Sequence, residues 1–157
     1  MKRNLLIALT VILFFGCKPS ENIVYEDFEK VNAEAWNWKE GKKFEFEIVE
    51  DQHVYSLFSS LRITSAYKYS NIWILYTLKG PNNYVKKDQV QLILSDDIGK
   101  WRGQGVSNLI SFREPFLLNQ KLPKGKYSIE FWQNMRDENL LEINNIGLQV
   151  LKGQLIL

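Results

Sequence analysis

Few residues in this 157-residue chain have the types and spacing to do chemistry, and Cys17 is the most telling of them. It is the single cysteine, and it follows directly on Lys2, Arg3 and an uncharged run from Leu5 to Gly16. Basic residues, a short apolar stretch and a small residue before a cut are the marks of a secretory signal. A bilayer span needs about 20 apolar residues, more than this run supplies. Its end at Gly16-Cys17 predicts lipoprotein processing: cleavage before Cys17 and acylation of the thiol, so that residue 17 becomes the first of the mature chain. Phe14 stands three residues before the Cys, where a lipoprotein signal usually has an aliphatic residue, and Leu13 stands one place further back.

The other reactive side chains point away from catalysis. His53 is the only histidine, between Gln52 and Val54, and reads as a solvated turn residue rather than a base. With the thiol acylated no Cys–His pair can form, there is no Gly-x-Ser-x-Gly elbow, and one His and one Cys cannot supply a zinc set. Asp96-Asp97 could hold Ca²⁺ from a loop, but a carboxylate pair capping a turn is the simpler reading. Glu45 and Glu47 point the same way along one strand, as paired glycosidase carboxylates might. Alternation with Phe44 and Phe46 makes them a solvated face. Neither an enzyme nor a cofactor is expected, apart from the lipid on Cys17.

Five tryptophans remain: Trp36, Trp38, Trp73, Trp101 and Trp132. Pyranose rings stack on aromatic faces, so they could form a glycan platform. Trp73 and Trp132 alternate with aliphatic residues, and a second layer of structure is expected to cover them. Trp101 sits in Gly99-Lys-Trp-Arg-Gly-Gln-Gly105, where glycines permit unusual backbone angles and leave a Trp beside an Arg on a bend. That is the most site-like stretch.

The elements that must position these residues read mostly as strands. Residues 1–16 are the signal, residues 17–24 a lipidated tether, and residues 25–157 one domain. Tyr25, Phe28 and Val31 recur at threefold spacing and suggest a helical turn over 25–34; Trp36 and Trp38 suit extended chain. From Lys43 the period becomes two. Phe44, Phe46 and Ile48 form one face, and Tyr55, Leu57, Leu61 and Ile63 another. Asn71 to Leu78 is apolar on both faces and predicts a central strand. Gly80-Pro-Asn-Asn83, Asp96-Asp97 with Gly99, and Pro123-Lys-Gly125 mark turns. Pro115 places the stretch from Ser111 to Leu122 at an edge. Tyr127 to Gln133 alternates, residues 134–145 read as a loop or single helical turn, and Ile146, Leu148 and Val150 close the chain. Short strands between turn signals predict an all-β, antiparallel sandwich or jelly roll.

Loss of Lys2 and Arg3 with the signal takes the 20 Lys and Arg to 18, equal to the 18 Asp and Glu. A neutral domain has no long-range field for nucleic acid. Membrane attachment falls to the acyl chains, each buried methylene adding about 0.8 kcal/mol.

Several stretches carry a resemblance. The lipoprotein start, the Trp before the first alternating strand, and Tyr69-Ser-Asn-Ile72 are among them. So are Ser95-Asp-Asp-Ile-Gly-Lys-Trp-Arg-Gly-Gln-Gly105, Gln133-Asn-Met-Arg136 and Asn145-Ile-Gly-Leu-Gln-Val150. Together they resemble the GldH family of gliding-motility lipoproteins over nearly the whole mature chain. Val106-Ser-Asn108 stands where the family often continues Gly-Asp, Gln149 where it usually has Arg, and Leu155 to Leu157 adds an apolar end.

The resemblance implies a cell-envelope lipoprotein needed for gliding in Bacteroidota-type bacteria. It would work beside the machinery that secretes and moves surface adhesins, with no enzymatic activity. Trp101, Arg102, Gln133, Met135 and Arg136, from the two specific blocks, are the candidate partner-facing patch. Lys18 after the Cys favours the outer membrane over the inner. The alternative is a glycan-binding surface lipoprotein.

Overall fold

A side-chain period of two lets one face of each strand go inward, and such strands bury their apolar faces only by stacking as layers. The computed structural model describes residues 22–32 and 35–156. The signal, Cys17 and the first part of the tether lie outside the described residues. The strands are β1 (Ile23–Lys30), β2 (Ala35–Asn37), β3 (Lys42–Ile48), β4 (His53–Thr64), β5 (Asn71–Lys79), β6 (Val85–Ile93), β7 (Gln104–Val106), β8 (Leu109–Lys121), β9 (Gly125–Gln133), β10 (Asn139–Leu141) and β11 (Ile143–Leu155). They form a five-stranded sheet β1-β11-β4-β8-β7, a four-stranded sheet β3-β9-β5-β6 and a small pair β10-β2. Every pairing is antiparallel. The chain passes repeatedly between the sheets, and the result is a single all-β sandwich.

The core lies between the two larger sheets. Phe44, Phe46 and Ile48 of β3, Ile72, Ile74, Tyr76 and Leu78 of β5, and Tyr127, Ile129 and Phe131 of β9 face Tyr55, Leu57, Leu61 and Ile63 of β4 and Ile146, Leu148 and Val150 of β11. Tyr127 stacks on Phe46 at 5.3 Å, and Phe131 meets both Phe44 and Phe116. Burying such rings removes 150–250 Å² each from water, which stands in for the absent disulfides. Trp36 is fully buried, with its indole N–H donating to Glu40 O at 2.8 Å.

Local chemistry sets the joints. Asn82 and Asn83 both take positive φ, and Tyr84 N donates to Pro81 O at 3.0 Å. That is the two-residue turn whose twist suits a hairpin, and it joins β5 to β6. Pro115 lies on the part of β8 beyond the reach of β7, which pairs only with Leu109 to Ser111. A missing N–H is tolerated on such an open edge.

Four expectations need correction. Residues 25–30 are strand, not helix: β1 pairs along β11, with Tyr25 turned inward against Phe46 and Phe28 outward on Gly147. Sheet pairing overrides a threefold spacing that was only two intervals long. β1 also takes up Ile23 and Val24, the last residues of the expected tether. Residues 134–145 contain β10, which pairs with β2. Finally, β5 is interior to its sheet as expected, but Trp73, Leu75 and Thr77 face outward and no layer among the described residues covers them. A two-layer sandwich covers one face of each sheet, and the second layer is spent on Ile72, Ile74, Tyr76 and Leu78.

Candidate functional site

The two sequence blocks of the expected patch meet the same end of the sandwich. The link between β4 and β5 stands between them. Ser70 O accepts from Leu94 N and Ser95 N on one side, while Lys68 pairs with Asp137 at 2.7 Å on the other. Hydrogen bonding to Lys68 holds the Asp137 carboxyl below its ordinary pKa, and the same bond raises that of Lys68.

The five residues have different fates. Gln133 is 2% exposed and cannot face a partner. Its Nε2 donates to Asp137 O at 2.7 Å and its Oε1 accepts from Met135 N at 2.8 Å, so the amide pins the 134–138 loop. Met135 is half-buried, its sulfur accepting from Trp73 N at 3.3 Å. Arg136 is exposed and borders a cleft with Trp38, itself 48% exposed. Trp101 is half-buried, edge-on to Phe112 at 6.4 Å, with its backbone bridged to Ser95. Arg102 is exposed, and its N–H donates to Leu94 O at 2.9 Å.

Arg102 opens onto a groove that sequence reasoning missed. The groove has a volume of about 420 Å³ on the outward face of the five-stranded sheet, and Arg62 and Arg113 line it. These arginines are distant in sequence and meet only because β4 pairs with β8. The available signal was a lone Arg among outward positions of a strand, which seldom stands out.

The outward face of the four-stranded sheet carries two of the tryptophans. Trp132 is directly opposite Leu75, and Trp73 is the next outward residue of β5. The indole of Trp132 leans toward Gly41, where a Cβ would lie 2.8 Å from Nε1. Asn134 Nδ2 donates to Gln89 Oε1 at 3.1 Å across the same surface. Trp73 and Trp132 are half-buried and open to solvent, not covered by a second layer.

The remaining candidates are structural. Asp96 Oδ1 accepts from Ile98 N at 3.1 Å and Lys100 N at 2.8 Å, closing a turn in which Gly99 takes positive φ. Among the described residues no cluster of His, Cys, Asp and Glu could hold a metal. Glu45 pairs with Lys43 on an exposed face, and Glu47 is exposed beside it. His53 is not in a turn: it opens β4, and its Nδ1 lies 3.2 Å from Glu50 Oε2, off the angle of a hydrogen bond.

Residues 23–150 match the model of a family described as GldH lipoprotein. The chain is 28% identical over 145 residues to a gliding motility lipoprotein GldH homolog of Christiangramia forsetii, covering 92% of this chain and 85% of that protein. It is 22% identical over 153 residues to gliding motility lipoprotein GldH of Flavobacterium johnsoniae, covering 98% and 91% respectively. Among solved structures, it superposes on a carbohydrate-binding module specific for non-crystalline cellulose with a TM-score of 0.46 and 12% identity, over 82% of this chain and 73% of that one.

Proposed function

The chain belongs to the GldH lipoprotein family, and from that premise we propose that it serves gliding motility as a lipid-anchored protein of the cell envelope. In this reading it is a non-enzymatic accessory or assembly factor of the gliding apparatus and its associated secretion machinery. The lipid on Cys17 holds it to the membrane, in the outer membrane rather than the inner, and its partners are other envelope proteins of that machinery, not nucleic acid. The observation that carries the reading is the family match, which runs from the first residue of β1 into β11. The loop end bearing Trp38, Trp101, Arg102 and Arg136 is the partner surface this reading uses.

The test is in-cell cross-linking of a tagged copy, with capture from detergent-solubilised envelopes. Gliding and secretion components should be recovered above a Cys17→Ala control. Recovery of bulk envelope protein alone, from both, would reject the assembly role.

A second reading, a glycan-binding surface lipoprotein, draws on Trp73 and Trp132 sharing one open sheet face with the Asn134–Gln89 amide pair. Indole faces stack on pyranose rings, and amides match hydroxyls as donors and acceptors. Intrinsic fluorescence unchanged by a panel of neutral polysaccharides would reject it.

A further inference from the structure

We propose that the arginine-lined groove on the outward face of the five-stranded sheet binds a carboxylated glycan, of the uronic-acid type. This goes beyond the role in gliding, and each stands without the other.

Small buried residues lie beneath the groove. Gly147 of β11 lies opposite Ser60 of β4, and Ser60 lies opposite Arg113 of β8. Phe28 of β1 faces Gly147 from the other side. The Arg62 guanidinium stands 4.4 Å over the Phe28 ring, and that of Arg113 stands 3.8 Å over Phe58. Arg113 Nε also donates to Oε1 of the buried Gln149 at 2.6 Å. Both guanidiniums are therefore oriented by neighbours, and less freedom is lost when they engage a ligand.

The charges are unusual. Among the described residues the ion pairs use Lys42, Lys43, His53, Lys68 and Lys152 as cations, and neither Arg62, Arg102 nor Arg113 has a carboxylate partner. Three guanidiniums thus share one groove, and none of them is held in an ion pair. Guanidinium forks match a carboxylate in two hydrogen bonds. Glu26 and Glu114 also line the groove, and Gln149 Nε2 donates to Glu26. Acids at its margins repel a dense polyanion and favour a ligand whose carboxylate is set among neutral groups.

Sugar suits the site better than peptide. The groove opens on a sheet face, and along its floor β4 is paired on both sides, by β8 and β11, so an extended peptide could not pair over Ser60 to Arg62. Phe28 and Phe58 are capped by the arginines, which leaves no apolar pocket for a side-chain anchor. What remains open is polar: exposed Ser111, with Arg62 opposite it and Ser60 buried beneath. Hydroxyls both give and accept, as sugar hydroxyls require. The volume falls in the range of small-ligand sites.

The test is titration of the full chain, in detergent, with trigalacturonate. Binding is expected, weakening with salt and falling about tenfold or more in an Arg62→Gln/Arg113→Gln double variant. The methyl-esterified trimer should bind comparably weakly. Because the double variant uncaps two rings, Ser111→Glu serves as a second probe: it adds a carboxylate on an exposed position opposite Arg62 and should block the site while the fold stays intact. No binding, binding unchanged in either variant, or equal binding of the ester would overturn the proposal. So would displacement by inorganic phosphate at equal concentration, or binding of a polyglutamate peptide in place of the sugar.

Discussion

The ring of Phe28 lies on the backbone of Gly147, so close that a Cβ at 147 would stand 2.6 Å from the ring's Cδ1 and 2.9 Å from Asp27 O. This contact seats the edge strand β1 on the sheet and sets the ring on which Arg62 stacks. Gly147→Ala should therefore force β1 outward. The expected loss is about 1–3 kcal/mol, the usual range for overpacking, read as a lowered midpoint in urea unfolding. An unchanged midpoint would mean that β1 is not held by this contact.

Gln133 is expected to matter for the fold rather than for a partner. Gln133→Ala leaves Asp137 O without its donor and Met135 N without its acceptor. Unsatisfied buried groups cost roughly 1–3 kcal/mol each. Thermal unfolding should show the loss. Gln133→Glu should be nearly as damaging, because it keeps the acceptor for Met135 N but loses the donor and buries a charge. A variant of wild-type stability would return Gln133 to the surface.

Trp101→Ala should fold and reach the envelope yet abolish gliding. The indole is only half-buried, so its removal trims an edge contact with Phe112 and opens no central cavity. Colony spreading and cell-tracking, with immunoblots of fractionated envelopes, separate the outcomes. A correctly localised variant with full motility would remove Trp101 from the partner surface.

Alkaline pH should unfold the domain. Burial, first of all, pushes Tyr76 and Tyr127 up to about 12 and raises Tyr67 further. These phenols stay protonated in the fold while the unfolded chain ionises near 10. Their contribution is whole below that value and is lost as pH climbs from about 10 through about 12. Phenolate absorbance near 295 nm should appear late and together with loss of the far-ultraviolet strand signal. A smooth titration of all tyrosines near 10 in a folded protein would contradict their burial.

Arg136 and Trp38 border one cleft at the loop end. Arg136→Glu reverses the charge of an exposed residue, and its stability should stay within about 0.5 kcal/mol of wild type. Cross-linked yield of envelope partners should fall severalfold. Equal yield would place the partner surface elsewhere.

Sequence alone determined the class of the fold, because alternation is a local property: Phe44, Phe46 and Ile48 could bury together only on a strand, and Asn82-Asn83 could take positive φ only in a turn. It also marked Cys17 as the expected site of lipidation, and it carried the family through blocks that need no structure to compare. Pairing and layering are nonlocal, and they decided the rest. Tyr25 and Phe28 went to opposite faces because β11 offered a long partner. Trp73 and Trp132 stayed open because each sheet of a sandwich covers only one face of the other. Gln133 turned inward because the 134–138 loop folds back over it. Arg62 and Arg113 came to share a groove with Arg102 because β4, β8 and the loop before β7 meet on one surface. A side chain's period states which neighbours share its face, while the identity of what lies across the strand is set only when the sheets close.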